Sequence, residues 1–185
     1  MNTDLLLEIN GWSGNSVVDA IMKFAAGTMI YGVFAVLAVL CVLQVMARRL
    51  DRLILVGTSL VLALALGRGA AALFPNERPF IEHPEVHQLV HHEPGQSFPS
   101  DHSLAAFGIA FAIAAFVSMR WGLALLPVAA LVGFSRIYVG VHYPADIVGA
   151  AVLAGIAVGA VALAARSGPV ARLLAARFPV DARAA

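Results

Sequence analysis

The chain is short of charge. Only 12% of its 185 residues are Asp, Glu, Lys or Arg, against roughly a quarter in ordinary soluble domains. With 61% hydrophobic residues and a mean hydropathy of +0.87, it lacks the polar surface that a water-soluble fold needs. It is short of net charge as well: twelve basic residues against eleven acidic ones leave +1, so no basic patch points to nucleic acid. One cysteine, Cys41, sits in an apolar run; it cannot pair within the chain and says nothing about compartment. Acidic Asp4 and Glu8 stand where a cleaved leader carries its basic segment, so no removed leader is expected. What remains is the profile of a membrane protein.

What the chain does have is long apolar runs. The expected fold is an all-α integral membrane bundle of five transmembrane helices, preceded by an N-terminal interfacial helical segment and formed from one domain, 1–185. Residues 1–27 carry apolar residues at helical spacing, broken by Gly11, Ser13, Gly14 and Asn15, with Trp12 suited to the membrane interface. A frayed amphipathic N-terminus is the alternative there. The transmembrane core is 28–165. Its spans are Thr28–Ala47, about the 20 residues that cross a hydrocarbon core, then Leu53–Phe74, Ser103–Met119, Gly122 to about Ser135 (or on through Tyr138), and Ile147–Ala165. The last is rich in Gly and Ala (Gly149, Ala150, Ala151, Gly155, Gly159, Ala160), which suits close helix contact in lipid. A basic tail fills 166–185.

The arginines set the orientation. Five spans place Arg48, Arg49, Arg52, Arg120, Arg166, Arg172, Arg177 and Arg183 on one side, eight of the twelve basic residues. The positive-inside rule makes that side cytoplasmic. The N-terminus, the 75–100 connection and the 136–146 loop then face out of the cytoplasm, at the periplasmic or extracellular face of the cell inner (plasma) membrane.

Two stretches on that outer face carry chemistry. Pro99-Ser100-Asp101-His102 precedes an apolar run, the pattern of a helix N-cap. A helix begun there aims free N–H groups and its positive dipole end at the loop, where an anion binds readily. A plain cap with an interfacial histidine is the bland alternative. Ser135-Arg136-Ile137-Tyr138-Val139-Gly140-Val141-His142-Tyr143-Pro144-Ala145-Asp146 is the second stretch. Pro144 suits the first turn of the fifth span and leaves His142 in the connecting turn. Asp146, four residues on, then reaches one imidazole nitrogen, fixes the tautomer and makes the other nitrogen more basic. Arg136 at membrane depth argues for a pocket rather than a lone interfacial histidine. Arg68, buried by pattern in the second span, and Arg78 in Arg78-Pro79-Phe80 add cations of the type that reads phosphate oxygens.

Read together, these residues resemble the type 2 phosphatidic acid phosphatase superfamily of integral membrane phosphatases. Its three motifs are a basic residue before Arg-Pro, then Pro-Ser-x-His, then Ser-Arg-x5-His-x3-Asp. Here they stand as Arg68…Arg78-Pro79, Pro99-Ser100-Asp101-His102 and Ser135-Arg136-x5-His142-x3-Asp146, covering about 68–146. The broad family pattern is Lys, six intervening residues, then Arg-Pro, and at the Lys position this chain has Ala71. The wider spacing from Arg68, with Arg-Pro-Phe and Phe-Pro-Ser-Asp-His, is similar to the bacterial undecaprenyl pyrophosphate phosphatase branch of bacitracin-resistance type.

The resemblance implies that His142 attacks the terminal phosphorus to give a phosphohistidine, that Asp146 holds its imidazole, and that His102 protonates the leaving oxygen and then activates water. It implies phosphate-holding roles for Arg78, Arg136, Ser100, Arg68 and Asp101, with Glu77 as an orienting partner for Arg78 or merely a solvated carboxylate. No cofactor or metal is required. The implied substrate is an isoprenoid lipid pyrophosphate in the bilayer, undecaprenyl pyrophosphate first. The alternatives are phosphatidic acid, phosphatidylglycerol phosphate or another isoprenoid pyrophosphate. An anionic-lipid transporter is the reading from another class, and it leaves His142 and Asp146 without a role. His83, His87 and His91 are four apart, with His92 adjacent, a spacing that could make one metal-binding helix face, but Pro84 and Pro94 argue against a long helix there, and a solvated loop gating the pocket is the expectation. Oligomeric state is left open.

Overall fold

The computed structural model describes residues 2–178, and within them every regular element is a helix. Arg183 of the expected basic tail lies outside the described residues. Two short helices, α1 (Asn2–Asn10) and α2 (Ser16–Gly27), open the chain. The break between them falls at the Gly/Ser/Asn cluster: Asn15 caps α2, its side chain accepting from the amides of Val17 and Val18 at 3.1 and 3.2 Å. The long helices are α3 (Met29–Met46), α4 (Leu50–Leu73), α6 (Asp101–Phe116), α7 (Met119–Tyr138) and α8 (Pro144–Arg166), with a single turn α5 (Pro79–Glu82) and a final α9 (Gly168–Arg177). Helices α3, α4, α7 and α8 are each long and apolar enough to cross a membrane, while α6 is equally apolar but only 16 residues long. The five expected spans are thus five helices, the third shorter than expected and starting two residues earlier, at Asp101.

The apolar runs do not all point inward. Tyr31, Val39, Val42, Val61 and Leu163 are well exposed on the flanks of their helices, the arrangement expected when lipid is the solvent. Inside, small residues set the spacing. Ala63 of α4, Leu104 of α6 and the α8 stripe Ala150, Ala154 and Ala157 form one buried cluster. The small residues of α8 therefore do bring helices together, but through these alanines; Gly159 has nothing near its Cα face. Between α7 and α8, Gly133 lies where a Cβ would come within 2.4 Å of Ile147 Cγ2. That crossing sets the distance between Arg136 and the start of α8.

The N-terminal helices are not frayed. Leu6 and Ile9 of α1 and Ala26 of α2 pack with Ile137, Tyr138, Val139, Val141, Tyr143 and Val86 in a buried cluster. This cluster is the floor under the loop that joins α7 to α8. Asn10 is buried there and holds three segments at once: its Nδ2 donates to the carbonyls of His87 and Tyr138 at 2.9 and 2.8 Å, and its Oδ1 accepts from the His87 amide at 2.8 Å. Buried polar side chains have to be satisfied in this way, and here the satisfaction ties chain start, long connection and loop together.

Candidate active site

The ends of four helices meet at one end of the bundle. The chain after α4 carries Arg78, the start of α6 carries Ser100 and His102, the end of α7 carries Arg136, and the turn into α8 carries His142 and Asp146. The turn is built by its own sequence. Gly140 takes a positive φ of 79°, and a Cβ there would strike the His87 carbonyl at 2.7 Å, so the chain reverses at a residue without a side chain. Pro144 opens α8 as its first residue, and the Tyr143 amide donates to Asp146 Oδ2 at 2.8 Å.

His142 and Asp146 are almost fully buried, 2% and 1% exposed. His142 Nδ1 lies 3.2 Å from Asp146 Oδ2, and His142 Nε2 lies 3.2 Å from Arg78 Nη1. A guanidinium only donates, so Nε2 holds a lone pair and Nδ1 carries the hydrogen given to Asp146. Two partners therefore fix one neutral tautomer, with its unprotonated nitrogen toward the arginines. Burial pulls the His142 imidazole down to about 4, against the upward pull of its Asp146 hydrogen bond, with the positive charge of Arg136 adding to the fall.

Ser97 completes this group. It is fully buried, donates its hydroxyl to Asp146 Oδ2 and sits 3.3 Å from His142 Nδ1. Its own amide donates to the Asn76 carbonyl at 2.7 Å, beside an antiparallel bridge between Glu77 and Gln96. Ser97 stands 45 residues from His142 in the chain, and nothing in the residues around it signals this role. Glu77 contributes through this backbone bridge, and no ion pair joins it to Arg78 among the described residues. The carboxylate tied to the site is that of Glu82, which accepts from the Tyr143 hydroxyl at 2.6 Å. Burial and that carboxylate push the Tyr143 phenol up.

The cationic side is made by Arg78 and Arg136. Arg78 Nη1 also donates to the Val141 carbonyl at 3.2 Å, and burial holds its guanidinium below the ordinary arginine range. Arg136, 3% exposed, donates Nη1 to the Ala26 carbonyl at the end of α2 at 3.0 Å. Its Nε and Nη2, with Arg78 Nε, are buried without a hydrogen-bond partner among the described residues. Unused buried donors are costly, and an anion satisfies them. Ser100 caps α6: its Oγ accepts from Ser103 Oγ at 3.1 Å, while its amide reaches the Asp146 carbonyl at 3.3 Å. Its hydroxyl hydrogen is left for a ligand at the helix end. His102 is half-buried in the first turn of α6, with Arg136, His92, Asp101 and Arg78 as its charged or titratable neighbours.

Arg68 departs from expectation. Its side chain is 68% exposed and pairs at 3.6 Å with Asp101, itself 62% exposed. Together they stand at a groove of about 300 Å³ between α3, α4 and α6, lined otherwise by apolar residues such as Phe34, Leu60 and Ala63. Neither touches the His142 group. Asp101 keeps the backbone place at the helix start, and its carboxylate there favours the dipole. The four histidines of the connection do not converge on one point: His83 pairs with Glu85 (3.8 Å) and His87 with Ser13 (3.0 Å), while His91 meets the Glu93 carboxylate (3.0 Å) and His92 the Glu93 carbonyl (3.2 Å). No group of three or more His, Cys, Asp or Glu residues among the described ones is placed to hold a metal.

Comparison with known proteins places the chain in a family. The chain is 34% identical over 157 residues to undecaprenyl-diphosphatase BcrC of Bacillus subtilis (strain 168), covering 83% of this chain and 79% of that protein. It is 36% identical over 138 residues to the bacitracin transport permease protein BcrC of Bacillus licheniformis, covering 75% and 67%. The crystal structure of Aquifex aeolicus LpxE superposes with a TM-score of 0.71 at 25% identity, over 88% of this chain and 94% of that one. The family model of the PAP2 superfamily matches residues 52–168, the stretch that holds Arg78, Ser97, Ser100, His102, Arg136, His142 and Asp146, and the chain belongs to that superfamily of membrane phosphatases.

Proposed function

We propose that the protein hydrolyses a lipid pyrophosphate, undecaprenyl pyrophosphate first among them, to the lipid monophosphate and inorganic phosphate on the non-cytoplasmic face of the membrane. The observation that carries the reading is the fixed tautomer of His142, with its Nε2 lone pair among the arginines and its Nδ1–H on Asp146. In the first step Nε2 attacks the terminal phosphorus while the bridging P–O bond breaks. His102, protonated, gives its proton to the departing lipid phosphate oxygen. Asp146 stabilises the positive imidazole ring of the phosphohistidine, the orienter's part in nucleophilic catalysis. In the second step His102 takes a proton from water, the water oxygen bonds to phosphorus, and the P–N bond breaks to restore neutral His142. Arg78, Arg136, the Ser100 hydroxyl and the α6 amides hold the equatorial oxygens, the main source of rate in phosphoryl transfer.

The lipid pyrophosphate is favoured by the name of the Bacillus subtilis relative, an undecaprenyl-diphosphatase. A phosphatase acting on a lipid phosphomonoester is the second reading, since another relative is named a lipid A 1-phosphatase. The Bacillus licheniformis relative is named a transport permease, but transport gives the buried His142–Asp146 pair nothing to do. The test is phosphate release in detergent with chelator present, from farnesyl and undecaprenyl pyrophosphates, phosphatidic acid and phosphatidylglycerol phosphate. The pyrophosphates should be turned over fastest, and His142→Ala should abolish release. Undiminished release by His142→Ala refutes the nucleophile, and a preference for phosphatidic acid refutes the substrate.

A further inference from the structure

The connection between α5 and α6 is a built strap rather than a loose loop. The Leu89 amide donates to the Val139 carbonyl at 3.1 Å, the His87 backbone is held by Asn10, and Gln88 Nε2 donates to the His92 carbonyl at 3.3 Å. What the strap holds in place is His92. While His91 and Glu93 on either side are exposed, His92 is half-buried, and its ring centre lies 6.4 Å from that of His142 with the planes nearly perpendicular, at 79°. A carbonyl only accepts, so the 3.2 Å contact to Glu93 puts the hydrogen of neutral His92 on Nδ1. Its Nε2 is the free nitrogen.

We propose that His92 is a substrate ligand that binds the second phosphate of the pyrophosphate, the one that leaves with the lipid. The inference rests on the lipid pyrophosphate reading above. The transferred phosphoryl group already has its partners in Arg78, Arg136, Ser100 and the α6 amides, and the leaving oxygen has His102. A pyrophosphate brings one more charged group, and His92 is the remaining titratable side chain facing that space from the strap. The surroundings of His92 suit this role. Burial holds its imidazole below the ordinary range, against the Glu93 carbonyl and with Arg78 and Arg136 pushing the same way as burial. A bound polyanion neutralises those arginines. His92 then takes a proton and donates Nε2–H to the phosphate while Nδ1–H stays on Glu93. His142 and His102 face the same space, but both are committed to the reacting phosphorus.

Farnesyl pyrophosphate and farnesyl monophosphate differ only in that phosphate, so they test the assignment. His92→Ala should lower kcat/KM for the pyrophosphate by roughly 10- to 100-fold, the range of a charge-assisted hydrogen bond. It should leave kcat/KM for the monophosphate within about threefold. Vanadate stands for the transferred phosphoryl group alone, so its inhibition constant should also hold, which shows an intact site. An equal fall for both substrates, no fall for either, or a matching loss of vanadate affinity overturns the assignment. A parent protein without pyrophosphatase activity overturns the substrate reading and this one with it, whereas an active parent with an unchanged substrate ratio in His92→Ala overturns this one alone.

Discussion

Replacing Asp146 by Asn tests the core of the site at constant shape. In the parent, one oxygen, Oδ2, receives the Ser97 hydroxyl, His142 Nδ1–H and the Tyr143 amide. Asn keeps one carbonyl oxygen but turns the other position into an NH2 donor, and the carboxylate charge is gone. If the amide NH2 faces His142, it donates to Nδ1 and drives the hydrogen to Nε2, where it meets the N–H of Arg78. The lone pair that the proposed mechanism uses for attack is then lost. If the carbonyl faces His142 the tautomer survives, but the ring that turns positive on phosphorylation has lost its counter-charge. A hydrogen bond to a charged group contributes about 1.5–3 kcal/mol, and two of the three contacts change character with the reaction. That totals roughly 3–6 kcal/mol, or about two to four orders of magnitude in kcat, with KM changed little. The assay is single-turnover phosphate release with acid-quenched detection of phosphohistidine, which should form slowly in Asp146→Asn. A variant that keeps kcat within tenfold of the parent refutes the orienting role and with it the tautomer argument.

Three further outcomes follow from other parts of the molecule. Arg68→Ala breaks only an exposed pair and should cost less than about fivefold in kcat/KM, while Arg78→Ala should cost at least about a hundredfold; equal losses would return Arg68 to the pocket. Gly133→Ala drives a Cβ to 2.4 Å from Ile147 Cγ2 and should destabilise the detergent-solubilised protein by roughly 1–3 kcal/mol. Ile147→Ala in the same chain should recover part of this, and strictly additive losses in thermal unfolding would contradict the packing. His142, lowered from 6.5 to about 4, binds a proton in the unfolded chain before it does in the folded one. Its contribution to stability is therefore complete above pH 6.5 and is lost as pH falls toward 4. Denaturation midpoints should drop over that window in the parent and less in His142→Ala, and identical profiles would show that the imidazole is not buried neutral.

The pairing of His142 with Asp146 was legible in the sequence because local rules determine it. Pro144 fixes the helix start, and two turn residues and one helical turn then fix the separation. The cap at Ser100 was legible for the same reason. Ser97 and His92 were not, because long-range ties bring them in: Ser97 through Asn76 and the Glu77–Gln96 bridge, His92 through Val139 and Asn10. The N-terminal helices were visible as helices, but nothing in their amphipathic pattern showed that Leu6, Ile9 and Ala26 form the floor of the catalytic turn. Arg68 was misplaced because an apolar run gives a depth but not a facing. The small residues give the facing: Ser59, Ala63 and Gly67 recur every four residues and are buried, with Gly67 2.6 Å from Leu104 Cδ2 by its would-be Cβ. One residue further turns about 100° around the helix, which takes Arg68 off that face.

The resting site is held together by contacts that the substrate has to replace. Arg78 sits on the lone pair with which His142 would attack, and Arg136 uses one of its donors on the end of α2 while two others stay buried and unmatched. Two guanidinium groups facing one space repel each other. On the proposed mechanism a phosphate anion resolves this: it would draw Arg78 off Nε2, use the idle nitrogens of Arg136, and leave the lone pair pointing at phosphorus. Exposure of the proposed nucleophile would then be coupled to occupancy of the anion site. On this account an uncharged phosphoryl analogue, a neutral phosphotriester with the same lipid tail, should fail to displace Arg78 and should phosphorylate His142 far more slowly than its intrinsic reactivity predicts, whereas in Arg78→Ala that disadvantage should shrink.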